Sequence, residues 1–186
     1  MHFCLRPYGR GEWPSRGNVW AFAGAAVTLK AAIGTGTQAL VLSALGISAG
    51  AGLEDLAEMV AAGIDPLTLG ADPITMSRNA EHAAFVRADP LTWQQGIRRE
   101  TLAALTSSRA TLASAAAALT IPILLVHGER DSLSGVEGVR ELANIHPSVT
   151  LVEFPEDLHN VIHEHDRDRV EACILNFLSN TFEDLS

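Results

Sequence analysis

Two side chains that could exchange a proton follow predicted β-strands in the C-terminal half of the chain. Asp131 comes shortly after the apolar run IPILLVH (121–127), and His159 comes shortly after VTLVEF (149–154). In an open parallel sheet, active groups lie on loops just past the carboxyl ends of the strands. The two side chains can therefore meet although they are distant in sequence. An aspartate in that position would hold the imidazole in one tautomer and stabilise the imidazolium that forms during proton transfer.

The elements that would position this pair are predicted by alternating apolar runs and helical patterns. A further apolar run, QALVLSAL (38–45), is typical of a strand buried on both faces. Helical patterns cover residues 24–33, 53–62, 94–119, 136–145 and 166–178. Strands and helices alternating at this spacing predict βαβ units with right-handed crossovers, so the expected fold class is α/β.

The chain is expected to contain one structured domain. The stretch between the first two predicted strands, residues 46–120, is too long for a simple crossover and is predicted to be a helical cap. The beginning of the chain is rich in Gly, Pro and Arg and shows no periodicity. We therefore divide the chain into an irregular segment, residues 1–23, and a partial domain, residues 24–186.

The composition limits the kind of protein and its partners. Apolar residues make up 47% of the 186 residues and charged residues 19%, which is typical of a globular domain. The net charge of −9 argues against a nucleic-acid partner, because binding phosphates requires clustered Lys and Arg. Cys4 and Cys173 are a single, widely separated pair, so a reducing, cytoplasmic compartment is expected. No apolar run predicts a membrane span, and peripheral contact with lipid stays open.

The phrases around the candidate pair resemble a known family. LLVHGERDSL (124–133) and VTLVEFPEDLHNVIHE (149–164) resemble the C-terminal end of the α/β-hydrolase superfamily, and within it the monoacylglycerol lipase and lysophospholipase group of the serine aminopeptidase S33 type. GVEGVREL (135–142) resembles the helix after the acid, and DPITMSRNAEHAAFVRADPLTW (72–93) resembles the cap. The resemblance covers roughly residues 24–180, and it implies the C-terminal part of a parallel sheet with a helical cap.

The resemblance also implies a chemistry. Members of this group hydrolyse carboxylic esters with a Ser-His-Asp triad, in which Asp131 would be the acid and His159 the base. The implied substrates are small lipid esters, monoacylglycerols or lysophospholipids with medium or long acyl chains. The mechanism needs no cofactor and no metal, and no obligate protein partner is evident.

The nucleophile is the missing member of this triad. It should be a Ser on a sharp strand-to-helix turn of the form G-x-S-x-G, where a side chain in place of either glycine would clash. One literal match exists, Gly46–Gly50, with Ser48 at its centre. The resemblance, however, places QALVLSA one strand after this turn, where Ser43 and Ser48 would be structural.

The family pattern instead places the turn at residues 20–24, where Phe22 occupies the nucleophile position and cannot attack a carbonyl. With suitable third bases in the codons, translation one base later over this segment spells Gly-His-Ser-Leu-Gly. One hypothesis is therefore that residues up to about Gly24 are translated out of frame. The alternatives are a divergent N-terminal segment and a catalytically silent, truncated or frameshifted remnant. Three predicted strands beside a large cap would leave a sheet edge exposed, which predicts poor solubility.

Two further groups of residues invite a functional interpretation. The spacing of His159, His163 and His165 could suggest a zinc site, but no H-E-x-x-H motif is present and Pro155 favours a loop. We expect His163 and His165 to face solvent, and Glu164 to favour the N-terminal dipole of the last helix. The cap offers apolar side chains that could line an acyl-chain channel or simply pack the cap onto the sheet: Leu67, Leu69, Ile74, Met76, Phe85 and Trp93.

Overall fold

The computed structural model describes residues 17–21 and 23–183. Its centre is a parallel sheet whose strands, in spatial order, are β1 (Gly17–Ala21), β2 (Ala39–Ser43), β4 (Ile123–Gly128) and β6 (Val149–Phe154). Two very short strands, β3 (Ser48–Ala49) and β5 (Ser134–Gly135), form a separate antiparallel pair. Strands β2 and β4 are buried along their whole length, as continuously apolar central strands should be.

Strand β1 lies in the segment that was expected to be irregular, so that expectation is wrong for residues 17–21. The strand pairs in parallel with β2, from Gly17 opposite Ala39 to Ala21 opposite Ser43. The described sheet therefore has four strands instead of three. Strand pairing with a neighbour outweighed the weak local signal, because β-propensity depends strongly on context. Residues 1–16 and Phe22 lie outside the described residues.

The helices of the described chain cover both faces of the sheet. In chain order they are α1 (Ala23–Ala31), α2 (Ala51–Ala61), α3 (Ala80–Ala88), α4 (Arg99–Arg109), α5 (Leu112–Ala117), α6 (Val136–Ile145) and α7 (Arg167–Glu183). One core cluster joins α1, α5 and α6 to side chains such as Leu42 and Leu125. A second cluster joins α7 to the opposite face through Val41, Leu124 and Val126. The alternation of side chains along β2 and β4 supplies both clusters.

The predicted cap is helical but is divided differently from the expectation. The predicted helix over 94–119 is two helices, α4 and α5, and residues 94–98 are not helical. The reason is a tertiary contact: Gly96 N donates a hydrogen bond to Leu67 O, and a Cβ at Gly96 would overlap the carbonyl oxygen of Pro66. This close approach of two backbone segments ends the helical pattern on its N-terminal side.

No helix among residues 23–183 is both long and apolar enough to cross a membrane.

Candidate active site

The carboxylate of Asp131 is fixed by its own loop. The residue follows β4 by three positions, and its Oδ1 accepts hydrogen bonds from Leu133 N at 2.8 Å and Ser134 N at 3.0 Å. Such a turn, in which a side chain replaces a backbone acceptor, is a favoured arrangement for Asp. The side chain of Asp131 has no exposed surface, so its second oxygen, Oδ2, is aimed into the protein.

His159 meets this oxygen from the neighbouring loop. It follows β6, the strand that pairs in parallel with β4, and only 5% of its side chain is exposed. The Nδ1 of His159 lies 2.7 Å from Oδ2 of Asp131. Because an ionised carboxylate only accepts, Nδ1–H is the donor, and in the neutral ring Nε2 is left as the basic nitrogen. The predicted meeting of the two side chains is therefore present in the structure.

The electrostatics of Asp131 favour its ionised form. Burial raises the pKa of this carboxyl, but the hydrogen bond and charge of His159, together with the N–H groups of Ser134 and Leu133, outweigh burial and hold the pKa below its usual range. A carboxylate that accepts several hydrogen bonds in its ionised form behaves in this way. The carboxylate can thus orient the imidazole without taking its proton.

A second imidazole touches the same carboxylate and was not recognised in the sequence. His127, the penultimate residue of β4, is fully buried, and its Nε2 lies 3.6 Å from Asp131 Oδ2 and 2.9 Å from Ser134 O. Burial lowers the pKa of His127, so the ring is neutral and its Nε2–H donates to the carbonyl of Ser134. His127 therefore braces the segment between β4 and β5 that carries Asp131, here called the acid loop (129–133). The available signal was a polar residue at the end of an otherwise apolar strand.

The hydroxyl of Ser48 is engaged elsewhere. Ser48 lies in β3, where its Oγ donates to Gly135 O at 2.6 Å and accepts from Gly138 N at 3.1 Å. Its single proton is directed to a backbone carbonyl of the β3–β5 pair rather than to an imidazole. Gly50, the last glycine of the motif, is required by a different contact, because a Cβ there would overlap the backbone of Ser132 in the acid loop.

The turn predicted to carry the nucleophile lies between described elements. β1 ends at Ala21 and α1 begins at Ala23, so a strand passes into a helix within two residues. That order of elements is the one a nucleophile turn requires. Phe22, the residue at the nucleophile position, lies outside the described residues.

The segment that carries His159 is tied to the cap by buried charges. Glu164, which was expected to favour the dipole of the last helix, is instead fully buried and accepts hydrogen bonds from the backbone N–H of Arg78 and of Leu158. Asp157 is also buried and accepts from the Arg78 guanidinium at 2.9 Å. The expected role of Glu164 was wrong, because its hydrogen-bond partners come from tertiary contacts rather than from the nearest helix end.

His163 also departs from its expected exposure. Its ring is half-buried and stacks on His82 of α3, with the ring centroids 4.2 Å apart. Burial, and then the nearby His82 and Arg167, lower the pKa of His163 to about 4. His165 is exposed, as predicted. Among the described residues, no group of three or more His, Cys, Asp or Glu side chains is arranged to hold a metal ion.

The apolar cap residues fall into two sets. Ile74, Phe85 and Trp93 are exposed, with 38%, 64% and 60% of their surface open to solvent. Leu67, Leu69 and Met76 are half-buried.

Comparison with known proteins identifies the family of the chain. A family model described as "Serine aminopeptidase, S33" matches residues 19–166. A monoacylglycerol lipase from Mycolicibacterium smegmatis is 32% identical over 152 residues, which cover 76% of this chain and 54% of that protein. The chain therefore spans about half the length of this relative.

Two solved structures show the same fold. The crystal structure of a monoacylglycerol lipase from Paleococcus ferrophilus superposes with a TM-score of 0.72 at 18% identity, covering 89% of this chain and 68% of that chain. A soluble variant of monoglyceride lipase from Saccharomyces cerevisiae, in complex with a substrate analogue, gives a TM-score of 0.72 at 16% identity, covering 88% of this chain and 61% of that chain. The predicted α/β class and the parallel sheet are thus confirmed.

Proposed function

Because the chain belongs to the serine aminopeptidase S33 family of α/β hydrolases, which includes a monoacylglycerol lipase relative, we propose that Asp131 and His159 are the acid and the base of a serine ester hydrolase. The observation that carries this proposal is the 2.7 Å contact between His159 Nδ1 and Asp131 Oδ2 on two neighbouring strand-end loops. The substrates are small lipid esters, monoacylglycerols or lysophospholipids.

The proposed reaction is acyl transfer through a serine. The serine hydroxyl loses its proton to Nε2 of His159 as its oxygen attacks the ester carbonyl, and a tetrahedral oxyanion forms. The imidazolium, stabilised by ionised Asp131, then delivers the proton to the leaving alcohol. Water attacks the acyl-enzyme by the same route and releases the fatty acid. The exposed apolar side chains of Ile74, Phe85 and Trp93 on the cap are suited to contact with acyl chains or a lipid surface.

A catalytically silent chain is the second candidate, and Phe22 favours it. A phenylalanine side chain has no nucleophile, and Phe22 occupies the nucleophile position of the family pattern. In this case the chain keeps the acid and the base but lacks the group that they activate. The DNA sequence upstream of the codon for Gly24 tests the frameshift hypothesis directly, because third bases that do not permit Gly-His-Ser-Leu-Gly would exclude it.

A fluorophosphonate probe separates the two candidates. The chain is compared with a variant in which residues 20–23 are replaced to give Gly-His-Ser-Leu before Gly24. We expect the restored variant to be labelled and the labelling to be lost when His159→Gln is added. Labelling of the natural chain would support an active enzyme, whereas no labelling of the folded natural chain would favour the silent chain. No labelling of a folded restored variant would contradict the proposed roles of Asp131 and His159.

Ser48→Ala provides the matched control for the nucleophile. Because the Ser48 hydroxyl donates to Gly135 O, we expect no labelling at this serine, and the substitution should leave the labelling of the restored variant unchanged. Labelling of the natural chain that disappears in Ser48→Ala would instead assign the nucleophile to Ser48 and contradict its placement at position 22.

A further inference from the structure

The guanidinium of Arg78 lies between two buried carboxylates of the segment that carries His159, here called the histidine loop (155–164). One terminal nitrogen of Arg78 donates to Asp157 Oδ1 at 2.9 Å, and Nε lies 3.6 Å from Glu164 Oε2. Neither carboxylate side chain has exposed surface, whereas 31% of the Arg78 side chain is exposed. The Arg78 side chain thus extends from the cap and covers two carboxylates that are inaccessible to solvent.

Two hydrogen bonds to the backbone of the histidine loop reinforce this contact. Asn160 N donates to Met76 O at 2.7 Å, and Ser77 Oγ donates to His163 O at 3.2 Å. Three consecutive cap residues, 76–78, therefore contact the histidine loop. The residues on either side of His159 are both fixed by hydrogen bonds: Asn160 N donates to the cap, and Leu158 N donates to Glu164.

Glu164 is the link between the cap and the residue before His159. Its Oε1 accepts from Arg78 N at 2.9 Å and from Leu158 N at 3.1 Å. One carboxylate oxygen thus fixes the backbone of the cap and the backbone beside the imidazole at the same time. A change in the position of Arg78 would therefore move Glu164, and with it the backbone of Leu158.

The two carboxylates depend on the shared cation. Burial and the negative charge of Glu164 raise the pKa of Asp157 to about 6, although the hydrogen bond from Arg78 acts in the opposite direction. Without the Arg78 side chain, two carboxylates would face one another in a buried site. Such a pair would separate or take up a proton, and either response moves the loop.

We propose that Arg78 is a positioning residue for His159: through Asp157 and Glu164 it holds the histidine loop so that the imidazole stays hydrogen-bonded to Asp131. The cap thereby controls the placement of the base. The proposal rests on the proposed function, in which His159 is the base.

The test follows the Nδ1 proton of His159 by NMR in the full chain. A proton held between imidazole and carboxylate at 2.7 Å gives a low-field resonance, which is assigned by its absence in His159→Gln. We expect this resonance to lose at least three-quarters of its intensity in Arg78→Met. Arg78→Lys should keep an intermediate intensity, because an ammonium keeps the charge but not the planar fork. Arg87→Met is the matched control, because it removes the exposed Arg87–Asp72 ion pair of the same cap and should leave the resonance unchanged.

The readout also separates this proposal from the proposed function. An undiminished resonance in folded Arg78→Met would overturn the role of Arg78. If the methionine variant does not fold, an undiminished resonance in Arg78→Lys would do the same. Neither result would affect the labelling of the restored variant. Conversely, absence of labelling in the restored variant would leave the resonance of the natural chain and its dependence on Arg78 intact.

Discussion

The backbone of Gly128, the last residue of β4, lies directly against the carbonyl group of Asp157 in the histidine loop. A Cβ on Gly128 would overlap the carbonyl oxygens of Asp157 and Leu158. Arg130 N donates to Asp157 O at 3.1 Å, which holds the acid loop and the histidine loop together one step further on. Because Gly128 has no side chain, the backbones of the two loops approach closely enough for Asp131 and His159 to form their hydrogen bond.

Gly128→Ala should therefore be strongly destabilising. The added methyl group cannot be accommodated by turning a flexible side chain, because its nearest neighbours are backbone atoms. We expect the free energy of unfolding, measured by urea titration, to fall by about 3 kcal/mol. The control is Gly52→Ala in α2, where the nearest atoms would lie 3.2 Å away and alanine improves helix propensity. A loss of less than about 1 kcal/mol in Gly128→Ala would contradict the close contact.

Asp131→Asn should remove the function of the pair while preserving the fold. The amide oxygen can still accept from Leu133 N and Ser134 N, but its NH2 group would face His159 Nδ1, and the ring proton must then move to Nε2. In the variant with the restored nucleophile, we expect the labelling rate to fall by roughly 10³-fold or more. Urea midpoints measured at pH 7 check that folding is kept. An unchanged labelling rate would remove Asp131 from the mechanism.

The stability of the protein should show two opposing pH dependences between pH 4 and 6.5. Asp157 has a pKa of about 6 in the folded protein against 3.8 for the free group, so its contribution to stability falls as the pH rises from about 4 to 6. His163 has a pKa of about 4 in the folded protein against 6.5, so its contribution rises over the same range. Each slope is at most about 1.4 kcal/mol per pH unit, the limit for one proton.

Single substitutions separate these two contributions. The His163→Asn variant keeps the Asp157 contribution and loses that of His163. Its free energy of unfolding should therefore decrease with rising pH relative to that of the natural chain. In Asp157→Asn it should increase more steeply with pH. Urea titrations at half-unit pH intervals provide the measurement. Parallel pH profiles for all three proteins would exclude both perturbed groups as sources of pH dependence.

Ser48→Ala should have a modest structural cost. The substitution leaves Gly135 O and Gly138 N without the hydroxyl that bridges them at 2.6 and 3.1 Å. For a part-buried hydroxyl of this kind we expect a loss of about 1 kcal/mol in the free energy of unfolding. The control is Ser107→Ala, whose exposed hydroxyl contacts only the carbonyl of Ala104 within its own helix. Equal effects in the two variants would argue against a bridging role for Ser48.

Several elements were predictable because their signals are local. The predicted helix over 136–145 and the strand over 149–154 agree with α6 and β6 residue for residue. The predicted strands over 38–45 and 121–127 were correct in type, but their ends differ from β2 and β4 by one or two residues. The residue at which a strand ends depends on its pairing with the neighbouring strand, and the local sequence carries no information about that pairing. The non-helical residues 94–98 before α4 were missed for a similar reason, because the contact of Gly96 with Leu67 and Pro66 joins segments that are distant in sequence.

The sequence by itself determined the α/β class, the order of the central strands along the chain, and the carboxylate and imidazole that follow two of them. A parallel sheet places the carboxyl ends of neighbouring strands at one edge, so the encounter of Asp131 and His159 follows from strand type and position. The tertiary structure alone decided the pairing of β1 with β2, the engagement of the Ser48 hydroxyl, and the contacts of Arg78 with Asp157 and Glu164. The physical reason is separation along the chain. The partners of Ser48 lie 87 and 90 residues away and those of Arg78 lie 79 and 86 residues away, and no local periodicity encodes which distant polar groups must be buried together.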